Sequence, residues 1–378
     1  EYSTNGGTTY PNVIMASTAA GTGAYSWTIP DAIGTNRRVR VSDASDATVL
    51  DTSNANFTIK AGFTGIVPAG GEVWTIGSAQ TLSWTTAGTV ANVKLEYSTD
   101  GGATYPNVIT ASTLNTGSYG WTVADAISTL ARLKVGDVNN ANAFGTSAAN
   151  FKIRGALLLT APNGSEAWAI NSSQNITWTR TGSLPNVKLE YSTNGFADEL
   201  QTSVIIASTP ADPAPADNNG TYAWTIPDAP GTTNKVRVSD ASDATVNDIS
   251  NANFKIQGVL TIQVPNGGEV WTVGSNQNIT WTKLGAIANV ELRYSNDGGS
   301  TYPAGKVIVA STAASSLSYT WTIPDDISTT LRVKITDVAD SAVLDESNAN
   351  FKIRGSIAVG APNGGEVWIV GASQNITW

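Results

Sequence analysis

A motif built on tryptophan returns four times along this chain and limits what the chain can fold into. Pro-Asn-Gly-Gly-Glu-Val-Trp at 265–271 reappears as Pro-Ala-Gly-Gly-Glu-Val-Trp at 68–74, Pro-Asn-Gly-Ser-Glu-Ala-Trp at 162–168 and Pro-Asn-Gly-Gly-Glu-Val-Trp at 362–368. Trp281 follows at a fixed offset and is matched by Trp84, Trp178 and Trp378. A third series comprises Trp27, Trp121, Trp224 and Trp321. All 12 tryptophans belong to these series, so the repeat carries the chain's largest side chains. Successive first tryptophans lie 94, 103 and 97 residues apart, the length of one small domain. The repeat therefore divides the chain into whole units at 62–155, 156–258 and 259–355. Residues 1–61 supply only the later strands of a unit, and residues 356–378 only the first strands.

Each whole unit is long enough to bury its own core. In the unit at 259–355, apolar and polar residues alternate. In 289–294, Val290, Leu292 and Tyr294 face one way and Glu291 and Arg293 the other. The same period of two runs through 277–281, 319–323, 331–335 and 351–354, with shorter strands expected at 259–264, 269–273 and 306–310. Period-two alternation marks half-buried antiparallel strands, and no stretch has a helical period. The fold class expected is all-β, a tandem array of seven-stranded antiparallel β-sandwiches of immunoglobulin or fibronectin III type, each cored by its tryptophans. One or two residues join each last strand to the next opening strand, as at Arg154-Gly155 and Gln257-Gly258. Such a joint is too short for a flexible linker, so the array should be a semi-rigid rod.

Charge and composition exclude several functions. The net charge of −9 opposes nucleic acid, which needs clustered Lys and Arg, and opposes docking on anionic lipid. No apolar run is long enough to insert this segment into a membrane. Histidine and cysteine are both absent, which removes Ser-His-Asp and Cys-His nucleophiles and the usual zinc sites. Carboxylate and hydroxyl chemistry remains.

The first carboxylate candidate is an acidic loop after the 331–335 strand. Asp337, Asp340 and Asp345 match Asp240, Asp243 and Asp248, and Asp43, Asp46 and Asp51. Three carboxylates on one loop suit calcium, a hard cation that takes oxygen ligands. The spacing fits no EF-hand, and the second unit keeps only Asp137, so solvated Asx-turns are the competing reading. Glu72, Glu166, Glu269 and Glu366 recur at the Pro-Asn-Gly-Gly-Glu kink. A glycosidase pair would need a second recurring carboxylate that the sequence does not offer, so a capping role is expected. The hairpins at 98–105 and 295–302 fit the Ser-x-Asp-x-Gly-x-Thr-aromatic pattern of the Asp-box. Residues 3–10 fit with Asn5 in the Asp place, whereas 192–196 loses the motif. That pattern reads as a tight turn, not as catalysis. Tyr10, Tyr105 and Tyr302 beside the hairpins are the aromatic residues best placed for exposure to surface glycans. Asn-x-Ser/Thr acceptors occur at Asn56, Asn163, Asn171, Asn175, Asn219, Asn278 and Asn375. The outlier is a Pro- and Asp-rich insertion at 210–217, which explains the 103-residue spacing.

The run from the Pro-Asn-Gly-Gly-Glu-x-Trp motif through Lys-Leu-Glu-Tyr-Ser and Tyr-x-Trp-Thr-Ile-Pro resembles the immunoglobulin-like repeats of large secreted bacterial surface proteins. It is also similar to the opening domain of yeast cell-wall proteins of the Kre9/Knh1 type. The likeness spans the whole chain. It implies an extracellular, cell-surface setting and carries over no catalytic residue. The leading functional expectation is a structural, non-enzymatic segment of a stalk, sheath or filament, with copies of itself or further repeats as partners and no cofactor. The alternatives are an adhesin or carbohydrate-binding array, or an accessory region of a secreted hydrolase. Aligned on the repeat, Trp378 matches Trp281 and Glu1 matches Arg293, so joining the two partial units would omit the equivalents of 282–292. That gap favours a window on a longer array, with strand donation between subunits as the runner-up.

Overall fold

The computed structural model describes residues 1–213 and 217–378, so the middle of the expected insertion at 210–217 lies outside the described residues. The unit at 259–355 shows how the repeat folds. Its strands are β1 (Val259–Val264), β2 (Val270–Thr272), β3 (Asn276–Leu284), β4 (Asn289–Ser295), β5 (Val307–Ala313), β6 (Ser318–Thr322), β7 (Ser328–Asp337), β8 (Leu344–Glu346) and β9 (Phe351–Arg354). They form two facing sheets, one in the order β1-β3-β6 and one in the order β2-β9-β7-β4-β5, with β8 added to β7. The units at 62–155 and 156–258 repeat both orders. Each whole unit is thus an immunoglobulin-like β-sandwich, and the strand numbers below apply to the equivalent strands of every unit.

Two details go beyond the seven strands read from the alternation. The cis Pro265 and the following glycines break the opening strand, and the chain resumes as β2 in the opposite sheet, where it pairs in parallel with β9 (Trp271 opposite Ile353). The short β8 pairs with β7, Ile335 opposite Asp345. Strand bounds shift by a few residues elsewhere. The edge strand read at 306–310 runs over Val307–Ala313, and the strand read at 331–335 runs over Ser328–Asp337.

In the three whole units the tryptophans occupy the cores as expected. Trp281 keeps 2 % of its surface, Trp321 7 % and Trp271 6 %. Trp271 lies against Phe351 at 4.9 Å between ring centroids, and Trp321 against Tyr294 at 5.0 Å. Burying an indole requires a partner for its N–H. Trp281 Nε1 donates to the Ala314 carbonyl at 3.0 Å, Trp178 Nε1 to the Ala211 carbonyl at 2.9 Å, and Trp84 Nε1 to Asn115 Oδ1 at 2.8 Å. That bond ties β3 to the connection between β5 and β6, across the open end of the sandwich.

Residues 1–61 form a four-stranded sheet of Tyr2–Ser3, Gly34–Ser42, Leu50–Thr52 and Phe57–Ile59. An open groove of about 930 Å³ lies on it, bordered by Trp27, Val39, Val41 and Leu50. In residues 356–378, Ile357, Trp368, Ile376 and Trp378 are exposed, although their equivalents Leu260, Trp271, Ile279 and Trp281 are core residues. Among the described residues no helix is long and apolar enough to cross a membrane.

Candidate functional site at the joints between units

The acidic loop between β7 and β8 is the recurrent cluster of charge, and its three carboxylates point to three different tasks. Asp240 accepts from the Ser242 N–H and hydroxyl, both at 2.8 Å, and Asp337 accepts from the Ala339 N–H at 2.9 Å. These are Asx-turns that close the loop. Asp43 does the same with Ser45, and Asp46 with Thr48. These bonds hold both carboxyls below their ordinary values, chiefly through the Ser45 N–H and the Thr48 hydroxyl respectively. Asp345 reaches across the sandwich and accepts from the Ile262 N–H at 2.7 Å, beside the bulge in β1. Asp248 accepts from the Leu159 N–H at the same place and distance. In the first unit Asp51 instead accepts from the Thr52 N–H at 2.9 Å. In the second unit Gly145 stands where Asp248 stands in the third. A Cβ there would lie 2.3 Å from the Phe63 carbonyl oxygen, so backbone approaches backbone directly.

The middle carboxylate reaches outside its own unit. Asp243 forms an ion pair with Lys152 on β9 of the preceding unit, and Asp340 forms the equivalent pair with Lys255. Burial pulls the Asp243 carboxyl upward, but Lys152 and Thr245 outweigh it and hold the group below its ordinary value. Beside this pair, Arg154 donates to the Thr245 carbonyl at 3.2 Å, and in the first joint Lys60 donates to the Asn142 carbonyl at 2.7 Å. Among the described residues no three acidic side chains converge as a metal cage requires.

A second contact closes the other side of the first two joints. Asp125, in the β6–β7 turn, accepts from the Ser183 N–H at 3.0 Å and from its hydroxyl at 2.6 Å, after β3 of the next unit. Asp31 accepts from the Thr89 hydroxyl in the equivalent place, and this bond is the chief reason its carboxyl is held below the ordinary value. Between the polar contacts lies an apolar one. Ile76 and Ile170, 9 % and 3 % exposed, press their Cδ1 methyls onto Gly182 and Gly285 of the following units. A Cβ on those glycines would lie 2.4 and 2.6 Å from the methyl, and both have positive φ, +86° and +83°. The position therefore demands glycine for shape and for backbone. Every inter-unit hydrogen bond and ion pair among the described residues joins consecutive units.

The other candidates resolve locally. The kink glutamates accept two backbone N–H groups each: Glu269 from Asn266 and Gly267 at 2.8 and 2.9 Å, and Glu72, Glu166 and Glu366 likewise. At Glu72 burial opposes the charge, and the Ala69 and Gly70 N–H groups overcome it and lower the pKa. The hairpins are clasped by their own side chains. Ser295 Oγ accepts from the Asp297 and Gly299 N–H groups at 3.2 and 3.0 Å, and Asp297 takes the Thr301 N–H and hydroxyl at 3.0 and 2.6 Å. The Ser295 hydroxyl, then Thr301, lower Asp297 to about 2. The third unit loses the motif in residues but not in geometry, since Ser192 Oγ accepts from the Phe196 N–H at 3.0 Å and Asn194 donates to Asp198 at 2.9 Å.

Tyr10, Tyr105 and Tyr302 are half-buried rather than open. Arg40 covers the ring of Tyr10 at 4.4 Å, Lys134 that of Tyr105 at 5.3 Å and Lys334 that of Tyr302 at 4.2 Å. Burial pushes the Tyr302 hydroxyl above its ordinary pKa. Of the Asn acceptors, Asn56, Asn171, Asn175, Asn219, Asn278 and Asn375 are exposed, while Asn163 is half-buried and accepts from the Asn251 N–H at 2.6 Å.

No protein-family model and no curated protein matches the chain. Among solved structures it is similar to an I-band fragment of titin, at 11% identity over 79% of this chain and 100% of that one, with a TM-score of 0.30. It is similar to the D1–D4 ectodomain fragment of ICAM-5 at 12% identity over 80% of each chain, with a TM-score of 0.29. It is also similar to fibronectin(III)-like modules of Clostridium thermocellum CbhA at 17% identity over 53% of this chain and 94% of that one, with a TM-score of 0.19.

Proposed function

We propose that the chain is a structural segment of an extracellular stalk, sheath or filament, a semi-rigid rod without catalytic activity. The observation that carries this reading is the repeated joint. Between residues 62–155 and 156–258 two polar contacts flank an isoleucine seated on a glycine, so bending in either direction opens one of them, and the next joint repeats the ion pair and the isoleucine. The recurrent charged residues serve turns, kinks and joints, which favours a structural role over acid–base work. The partners proposed are further repeats or copies of the same chain. The covered rings of Tyr10, Tyr105 and Tyr302 do not favour the glycan-binding alternative. Electron microscopy of the material from its native source tests the reading. Ordered fibres with beads of about one small domain each support it. Isolated flexible molecules that bind glycans would overturn it.

A further inference from the structure

Each unit has five strand edges, counting β8, and four of them are protected. Strand β1 is interrupted by a bulge and ends at a proline, β2 is three residues long, β5 carries two register shifts against β4, and β8 packs against β1. Bulges, prolines and short length are the ordinary devices that stop edge strands from pairing with other chains. Strand β6 has none of them. It runs over Ser118–Thr122, Asn219–Thr225 and Ser318–Thr322 in the three whole units, and each copy pairs with β3 without a register shift. It contains no charged residue and no proline in any unit.

The hydrogen-bond pattern shows which backbone groups of β6 face outward. The Trp281 N–H donates to the Leu317 carbonyl and the Ile323 N–H to the Ser275 carbonyl, so residues 317, 319, 321 and 323 face β3. The N–H and C=O groups of Thr320 and Thr322 therefore point away from the sheet. The same reading, from Trp84 to Gly117 and from Ile226 to Ser172, leaves Gly120 and Thr122, and Thr221, Ala223 and Thr225, facing outward. All these residues are exposed.

We propose that β6 is a lateral contact surface and that its partner is β6 of a second copy of this chain. The two edges would pair antiparallel, so that a three-stranded sheet of each copy continues into its neighbour's. A second copy suits this edge because identical edges make a self-complementary two-fold contact. Chains of net charge −9 repel one another, and a strand free of charge is where two of them can approach. Cross-strand Thr pairs add favourable side-chain contacts. The proposal concerns side-to-side association and stands apart from the stiffness of the joints.

Sedimentation equilibrium of the 378-residue chain from micromolar to millimolar concentration tests it, beside a variant carrying Gly120→Lys, Thr221→Lys and Thr320→Lys. A second variant places lysine on the bulged edge: Ala111→Lys, Ala207→Lys and Ala310→Lys. All six positions are exposed, and near-ultraviolet dichroism of the buried tryptophans reports that each variant is folded. The expected result is reversible self-association of the wild-type chain, weakened at least tenfold in the β6 variant and unchanged in the β5 variant. Hydrogen exchange at Thr320 and Thr322 should slow as concentration rises. A wild-type chain that stays monomeric throughout, or a β6 variant that associates like wild type, would overturn the proposal. Loss of association in the β5 variant would overturn it as well.

Discussion

The joint between residues 62–155 and 156–258 can be loosened without touching either core. Lys152→Ala removes the ion pair to Asp243, whose side chains are each 24% exposed, at a cost of about 0.5 kcal/mol. Asp125→Ala removes two hydrogen bonds from Ser183, at 3.0 and 2.6 Å, worth together about 1.5 kcal/mol at such an exposed site. The double variant should therefore weaken the closed joint by about 2 kcal/mol, which is roughly thirtyfold in the ratio of closed to open forms. The chain has no cysteine, so Leu114→Cys and Leu200→Cys, 69% and 95% exposed, give one clean spin-label pair across the joint. Double electron–electron resonance should show a narrow distance distribution in the otherwise unaltered chain and a broadened one in the double variant. At about 1 M salt, where the screening length is about 3 Å, the unaltered joint should broaden part of the way. Identical widths in all three samples would refute the assignment of stiffness to these contacts.

Other outcomes follow from the same contacts. Trp281→Ala should cost its unit about 3–5 kcal/mol, so calorimetry should show one transition lost or lowered while the rest persist. Trp281→Phe, which loses the bond to the Ala314 carbonyl, should cost about 1 kcal/mol beyond the lost area. Asp345→Ala should expose the Ile262 N–H to faster hydrogen exchange and destabilise the unit by about 1.5 kcal/mol. Asp297 has a folded pKa of about 2, below its ordinary value. Its contribution to the hairpin should thus be full at neutral pH and fade as pH falls through the folded value, with the Thr301 amide resonance shifting in step. Calorimetric titration with calcium should give no saturable heat, and a chelator should leave the melting profile unchanged, because the acidic side chains of each loop diverge.

The sequence shows the sandwich because its strands are half-buried. Val290, Leu292 and Tyr294 announce their face by alternation alone, and the four tryptophan pairs announce the repeat. Strands of three residues, such as β8, are too short for alternation to register. The parallel pairing of β2 with β9 joins residues about 80 positions apart and leaves no local mark. The joint was hidden for the same reason. Asp243 reads as one of three acids in a loop, and only the fold brings Lys152, 91 positions away in sequence, to its side. Tyr302 looks exposed beside a polar hairpin until Lys334 from β7 covers its ring. The third hairpin misleads in the other direction, because Asn194 and Asp198 rebuild with different atoms the clasp that Asp297 and Thr301 make. The glycine of each joint carries no mark in the sequence of its place under Ile76 or Ile170, which depends on the neighbouring unit.

Small-angle X-ray scattering from the dilute, monomeric chain tests the rod most directly. Strands of ten residues at about 3.3 Å per residue give each whole unit a length of roughly 33 Å. Three such units in line therefore predict a maximum dimension of roughly 100 Å or more and a radius of gyration near 30–40 Å, as for a rod of that length. The cross-section should be that of a single sandwich, and the profile should hold over a range of temperatures below unfolding. A radius of gyration near 21 Å, the value for a compact domain of this length, would contradict the rod. So would a broad, featureless distance distribution of the kind that freely jointed beads produce.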